Sequence, residues 1–341
     1  MIKNLGLLAV AAVLTVSLVT MMSCGDSTKE NQSSGKNSDL LIKDDKGEKV
    51  KLLIKPQEKD TLRYKMVAKQ SETEKGTSEK EGSITVEQEI SYYYSQVVDR
   101  VEDNAVSYRM QYDSIQIVSK IQSPDSTVTI IYNSNVKDSI YNYPDFIQFN
   151  ATIGTPFYMR VSDKGTVLDL YGMEKIYENI YKALGDTLSP NDKSVVQNSI
   201  GESMKAVLQQ QFQKFPDSNE VYKDSSWTSS YETQLSVFPV KNILGYKITD
   251  IKEENGNILI IIDASLSTEV IKKEITEKNT KAVLDNLEAK GSGTIIYNLS
   301  RGCIKSKQTQ TDLKAKVTLS QGSQSLTTDK DQTSSVIVER L

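Results

Sequence analysis

Histidine is absent from this 341-residue chain, which also has only two cysteines, one tryptophan and seven prolines. Without histidine there is no Ser-His-Asp or Cys-His nucleophilic system. HExxH zinc sites and every other zinc set that needs an imidazole are excluded as well. Two cysteines, Cys24 and Cys303, are too few for a thiolate metal centre. The net charge is −4 and no basic stripe interrupts the mixture of signs, so no nucleic-acid partner is expected. These absences point away from an enzyme and from a cofactor.

What is present begins with an address. One lysine, Lys3, precedes an uncharged apolar run over residues 5–22, which closes on Ser23-Cys24. A charged start, an apolar core and a small residue before the cut describe a secretory signal peptide. The run is also long enough to compete as a membrane span. Ser23-Cys24 resembles the bacterial lipoprotein processing site, where the cysteine receives a diacylglyceryl group and becomes the first residue of the mature chain. The resemblance implies a lipidation site at Cys24 and a membrane partner reached through that lipid. An uncleaved anchor helix and a plain signal peptide are the competing readings. Gly25 after the cysteine resembles the outer-membrane sorting signal of enteric bacteria, so an outer-membrane protein, facing the periplasm or the surface, is expected. With Cys24 acylated, Cys303 has no partner for an internal disulfide.

Residues 24–60 are mostly Ser, Lys, Asp, Glu, Asn and Gly and read as a flexible polar tether, with Leu52-Leu53-Ile54 as its one apolar cluster and a possible first strand. From Thr61 the pattern alternates. Leu62, Tyr64, Met66 and Ala68 share one parity; so do Ile84, Val86, Ile90, Tyr92 and Tyr94, and then Tyr108, Met110 and Tyr112. That period of two marks half-buried antiparallel strands. "VEDNAV" at 101–106 and "QSPDST" at 122–127 supply turns. Met173, Ile176, Tyr177, Ile180, Tyr181 and Leu184 fall on one helical face, which Gly185 ends. Ser189 and Pro190 start a second helix, with Val196, Ile200, Met204, Val207 and Gln211 on one face and Pro216 as its stop. The expected fold is mainly β (α+β): one large curved antiparallel sheet or half-barrel with two or three packed helices. The expected organisation is a signal peptide (1–23), a tether (24–60) and a β-rich domain (61–341). Within that domain, "VVDRVEDNAVSYRMQYDS" echoes "ITDIKEENGNILIIIDAS", and "GTPFYMRVSDKGTVLDL" echoes "GSGTIIYNLSRGCIKS". Two related β-meander halves, 61–171 and 227–341, joined by helices in 172–215, would account for the echoes, although β-hairpins echo one another easily.

The order of lipoprotein signal, polar tether, β-meander, helices, "FPDSNEVYKDSSW" and a closing "GSGTIIYNLSRGCI" resembles a Bacteroidota family of lipoproteins of unknown function. That resemblance implies a β-rich envelope domain and assigns no functional residue.

Candidate chemistry is thin. "SNVK" at 134–137 has the Ser-x-x-Lys spacing of penicillin-recognising enzymes, but the Ser-Asp-Asn and Lys-Thr-Gly partners are absent, and chance explains it better. Glu253-Glu254, and Asp99 with Glu102 and Asp103, have the residue types of a glycosidase pair yet sit beside turns, where solvated charge is the simpler reading. Tyr92, Tyr94, Tyr108 and Met110 are expected on the concave face, as core packing before ligand contact, and Trp227 is expected to plug a sheet corner. Six Asp-(Ser/Thr)-x triplets, at Asp26, Asp60, Asp113, Asp125, Asp138 and Asp186, resemble Bacteroidota O-glycosylation sites. The leading expectation is a non-catalytic envelope lipoprotein that binds a hydrophobic ligand, such as a lipid, or an envelope component. The alternative is a structural module that docks a protein partner at the outer membrane.

Overall fold

Alternating burial runs along almost every strand, and the strands assemble in two sheets. The computed structural model describes residues 41–45, 47–76, 82–136, 146–185, 188–218, 220–277 and 279–341. The small sheet has the order β1-β2-β9, formed by Leu41–Asp44, Gly47–Lys51 and Glu220–Tyr222. The large sheet is antiparallel throughout. Its first group is β3 (Thr61–Gly76), β4 (Ser83–Val101), β5 (Ala105–Ser123), β6 (Ser126–Asn133), β7 (Phe157–Ser162) and β8 (Val167–Tyr171). Its second group is β10 (Ser226–Leu235), β11 (Phe238–Glu254), β12 (Asn257–Val270), β13 (Glu274–Glu277), β14 (Thr280–Asn298), β15 (Cys303–Gln321) and β16 (Gln324–Arg340). The lateral order is β10-β11-β12-β14-β15-β16-β3-β4-β5-β7-β8, with β6 on β5 and β13 on β14. The expected mainly β class, with one large open antiparallel sheet and packed helices, is what the chain forms.

Three helices are described: α1 (Ile147–Thr152), α2 (Glu174–Leu184) and α3 (Pro190–Gln209). Met173, Ile176 and Ile180 are buried as the helical pattern predicts, but Leu184 is exposed at the last turn. The Ser189 hydroxyl accepts from Asp192 N, and the Asp192 carboxylate accepts from Ser189 N in return, a capping box behind Pro190. α3 ends at Gln209 rather than running to Pro216. Gln211, Phe212 and Phe215 are buried in a non-helical linker instead, because they have better partners on the sheet than on the helix face.

That linker reveals the curvature. Trp227 on β10 donates its indole N–H to the Lys214 carbonyl (3.1 Å), and the next residue, Phe215, donates its N–H to the Lys164 carbonyl (2.9 Å) in the β7–β8 turn. Nine strand spacings separate β10 from β7, roughly 43 Å in a flat sheet. One dipeptide reaches both, so the sheet curls until its edges face each other across the linker. β10 and β8 do not pair, so the ring stays open in its hydrogen bonds. Trp227 sits at a sheet corner and fastens the linker there.

A second strap corrects the expected tether. Strands begin at Leu41, and Leu52, Ile54 and Pro56 are buried. Ile54 donates its N–H to the Asp163 carbonyl (2.8 Å), and the Tyr297 hydroxyl donates to the Leu53 carbonyl. The Leu52 cluster is thus a buried crossing segment and not a strand. The two left-handed glycines that face these straps have no room for a side chain: a methyl group at Gly165 would overlap the Gln213 carbonyl, and one at Gly302 the Lys55 carbonyl.

Candidate functional site: the inner face of the curled sheet

Register across the large sheet lays inward side chains in lateral rows. The row nearest the linker includes Ile248, Ile262, Ile295, Val338, Met66 and Tyr92, joined by one exception, Lys307. Helices and linker cover this part. Tyr64 stacks on Tyr94 with ring centroids 5.8 Å apart, and Phe212 and Phe215 meet Tyr108 and Tyr297. Tyr94 and Gln96 both hydrogen-bond the Gln211 carboxamide, which fixes the linker over β4. Tyr92, Tyr94, Tyr108 and Met110 therefore face inward as expected, as packed core. Burial pushes the Tyr94 and Tyr108 hydroxyls far above their ordinary pKa.

Two rows further on, the chemistry changes. A continuous set of cross-strand partners runs from Ser229 on β10 to Ser119 on β5 through Gly291, Thr311, Ser334 and Gln70. Only Leu244 and Leu266 in that row are large and apolar. The glycine has a geometric reason: a Cβ at Gly291 would lie 3.0 Å from both the Gln310 carbonyl oxygen and the Leu266 Cβ, so the tight coil of β14 requires its absence. Beyond the row, Phe238 covers Ala282, Leu284, Leu313 and Ala315 in a separate small core.

Several polar atoms on this inner face are poorly satisfied. Ser119 Oγ is buried without a partner; Ser229 Oγ lies beside Tyr246, and the Tyr231 hydroxyl beside Asn242 Nδ2, each buried with poor hydrogen-bonding geometry. Asn242 uses its oxygen to accept from Thr268 (2.6 Å), and its nitrogen lies beside the Tyr231 hydroxyl but outside hydrogen-bonding geometry. Burial raises the Tyr231 pKa, so the group stays neutral. Each unsatisfied buried group costs about 1–3 kcal/mol. Water or a ligand that reached this face would find hydrogen-bonding groups to satisfy there. Lys330 and Glu72 sit further out and neutralise each other at 2.6 Å.

The residues singled out from sequence go elsewhere. Cys24 lies outside the described residues, as does Lys137. Ser134 accepts from the Ile115 N–H (2.9 Å) and so serves β5. Glu254 pairs with Lys305 (2.9 Å) and Lys252 (3.3 Å), and Glu102 with Arg160 (2.6 Å); Asp99, Asp103 and Glu253 are exposed. Of the triplet acceptors, Thr61 and Ser126 are exposed and Ser114 is buried; the other three lie outside the described residues. No helix among the described residues is long and apolar enough to cross a membrane. Sequence reading missed the inner polar row. Its signal was the parity of Leu313, Ala315 and Val317, which, extended backward, turns Thr311, Thr309 and Lys307 inward.

A family model, "Family of unknown function (DUF6263)", matches residues 103–304, from the β4–β5 turn to the start of β15. This is more than half of the chain. The protein belongs to that family. No curated protein matches it. Among solved structures, one of lipovitellin, titled for its lipid–protein interactions, is similar at 9% identity and a TM-score of 0.39 over 84% of this chain. The chain spans only 25% of the lipovitellin chain. An outer membrane channel from Pseudomonas putida F1 is similar at 7% identity and a TM-score of 0.22, over 84% of this chain and 97% of that one. Both scores lie below the level of a shared fold.

Proposed function

We propose that this family member is a non-catalytic lipoprotein of the cell envelope, anchored by lipid on Cys24, whose curled sheet binds a hydrophobic or amphipathic ligand on its inner face. The observation that carries the binding reading is the inner row of small and polar residues, from Ser229 to Ser119, with the poorly satisfied Tyr231 and Asn242 in the row beside it, set between two apolar cores. A protein with only a structural role gains nothing from burying such groups poorly paired, whereas a ligand site needs a few placed polar groups among apolar ones. The anchor reading is supported by Ser23-Cys24 after the apolar run.

Mass spectrometry of the natively purified protein should find a co-purifying lipid. Thr311→Trp, which fills the polar row, should release that lipid while the melting temperature stays within a few degrees. Wild-type protein that carries none, and binds none of a panel of fatty acids, phospholipids and sterols, overturns the binding reading. Separately, Cys24→Ala should abolish palmitate incorporation and release the protein from membranes. Equal labelling of both forms overturns the anchor.

A further inference from the structure

We infer that the ligand is a long-chain amphiphile with a carboxylate head, and that Lys307 holds that head; this rests on the binding reading above. Lys307 points inward from β15 and is 2% exposed. Its direct cross-strand neighbours are Ile295 and Val338. An ammonium has three donors, and here a single hydrogen bond is made, to the Phe212 carbonyl at 3.2 Å. Among the described residues no carboxylate lies within ion-pairing distance, and burial in apolar surroundings is the sole influence on its proton. That influence lowers the pKa to about 8, and a carboxylate brought beside the amine would favour its charged form. A buried charge without a counter-ion is among the costliest arrangements a core can hold.

The structural alternative is a tether for the linker. Phe212 lies just past the end of α3, where a cation is favourable. One hydrogen bond to a carbonyl, however, needs no charge; a neutral glutamine would serve and would avoid the desolvation cost. The strand itself gives the second reason. Beyond Lys307, the inward residues of β15 are Thr309, Thr311, Leu313 and Ala315, a gradient from charged through polar to apolar. From Lys307 to Leu313 is roughly 20 Å along the strand, the length of an acyl chain whose acid end is at the lysine, and such a chain would displace the Phe238 ring that covers Leu313.

The test uses the full chain stripped of lipid, with Nile red as a neutral reporter and hexadecanoate and hexadecanol as competitors. Wild type should release the dye at hexadecanoate concentrations at least tenfold below those of hexadecanol. Lys307→Met should erase that preference and leave hexadecanol competition unchanged, and Lys307→Arg should keep part of it. Equal competition by acid and alcohol on wild type overturns the head-group assignment while sparing the binding reading. If neither competes, both fall. Should Lys307→Met fail to fold, carboxyl-labelled hexadecanoate on wild type decides by NMR. A bound carboxyl that titrates at least one pH unit below the free acid supports the pairing, and an unshifted one overturns it.

Discussion

The first meander, β3 to β8, and the second, β10 to β16, lie side by side in one sheet and are filled differently. Both place an irregularity beside the turn of their second hairpin strand, between Val98 and Arg100 in one and Ile248 and Asp250 in the other. Both place another beside a later turn, between Arg160 and Val161 and between Ile296 and Tyr297. A left-handed glycine follows each time, Gly165 and Gly302, and each glycine abuts a crossing strap. The filling differs. In the first half, rings such as Tyr64, Tyr94, Tyr112 and Phe157 face α2, α3 and the linker. The inner face of the second half is largely aliphatic or small, with Ile262, Ala264, Gly291 and Gly293. β14 and β15 run 19 residues each, against six and five for β7 and β8. Their far ends carry a small separate core in which Phe238 is joined by Leu235, Val270 and Ile275. Large side chains thus fill the space where another layer covers the sheet. Small ones occupy the second half's inner face, and Ser229, Tyr231 and Asn242 lie there, while Ser119 lies on β5 in the first half.

The most severe break in this comparison is at the matched glycines. Gly165→Val and Gly302→Val each combine an unfavourable positive φ with a backbone overlap. Both should lose about 3 kcal/mol or more, or fail to fold. If one were tolerated in a urea titration, the two turns would not be equivalent supports. Next, Ile180→Ala on α2 opens the first half's core and should cost about 2–5 kcal/mol. A loss under about 0.5 kcal/mol would mean this helix face does not pack on the sheet.

The pH dependence should separate the halves more finely. The folded pKa of Lys307 is about 8, below its ordinary 10.5, so between those values the unfolded chain binds more protons. Stability therefore rises with pH through that window, by on the order of 3 kcal/mol. The buried tyrosines act in the opposite sense. Tyr64, Tyr94 and Tyr108 in the first half and Tyr297 in the second have raised pKa values, so the folded chain holds protons that the unfolded chain releases above pH 10. Stability should climb from pH 8 and fall beyond about pH 10. Lys307→Met should flatten the climb and keep the fall; an unchanged climb would assign it to another group. The smallest effect expected is at the helix between the halves: Ser189→Ala removes the cap of α3 and should cost about 1 kcal/mol in the same titration.

Much of this molecule was legible from residue order. Strict alternation in Leu62-Tyr64-Met66 and Tyr108-Met110-Tyr112 defines strands because side chains on a pleated chain point to opposite faces. The spacing of Ile176 and Ile180 defines α2, and Ser189-Pro190 the start of α3, because both signals are local. The short α1 has no such pattern. The ends of α3 and of the tether were misjudged because Gln211, Phe212, Leu52 and Ile54 answer to partners far away along the chain.

Sequence by itself carried the excluded chemistries, the expectation of lipid attachment at Cys24 and the buried parity of β3, β4 and β5. Those are properties of composition, short motifs and local period. Only the tertiary structure decided that the sheet curls until Lys214 and Phe215 reach both its edges, that Tyr92 and Tyr94 are packed core, and that Lys307 stands buried with one hydrogen bond. Curvature and pairing sum over many strands joined at long range, and no local stretch of sequence carries that sum.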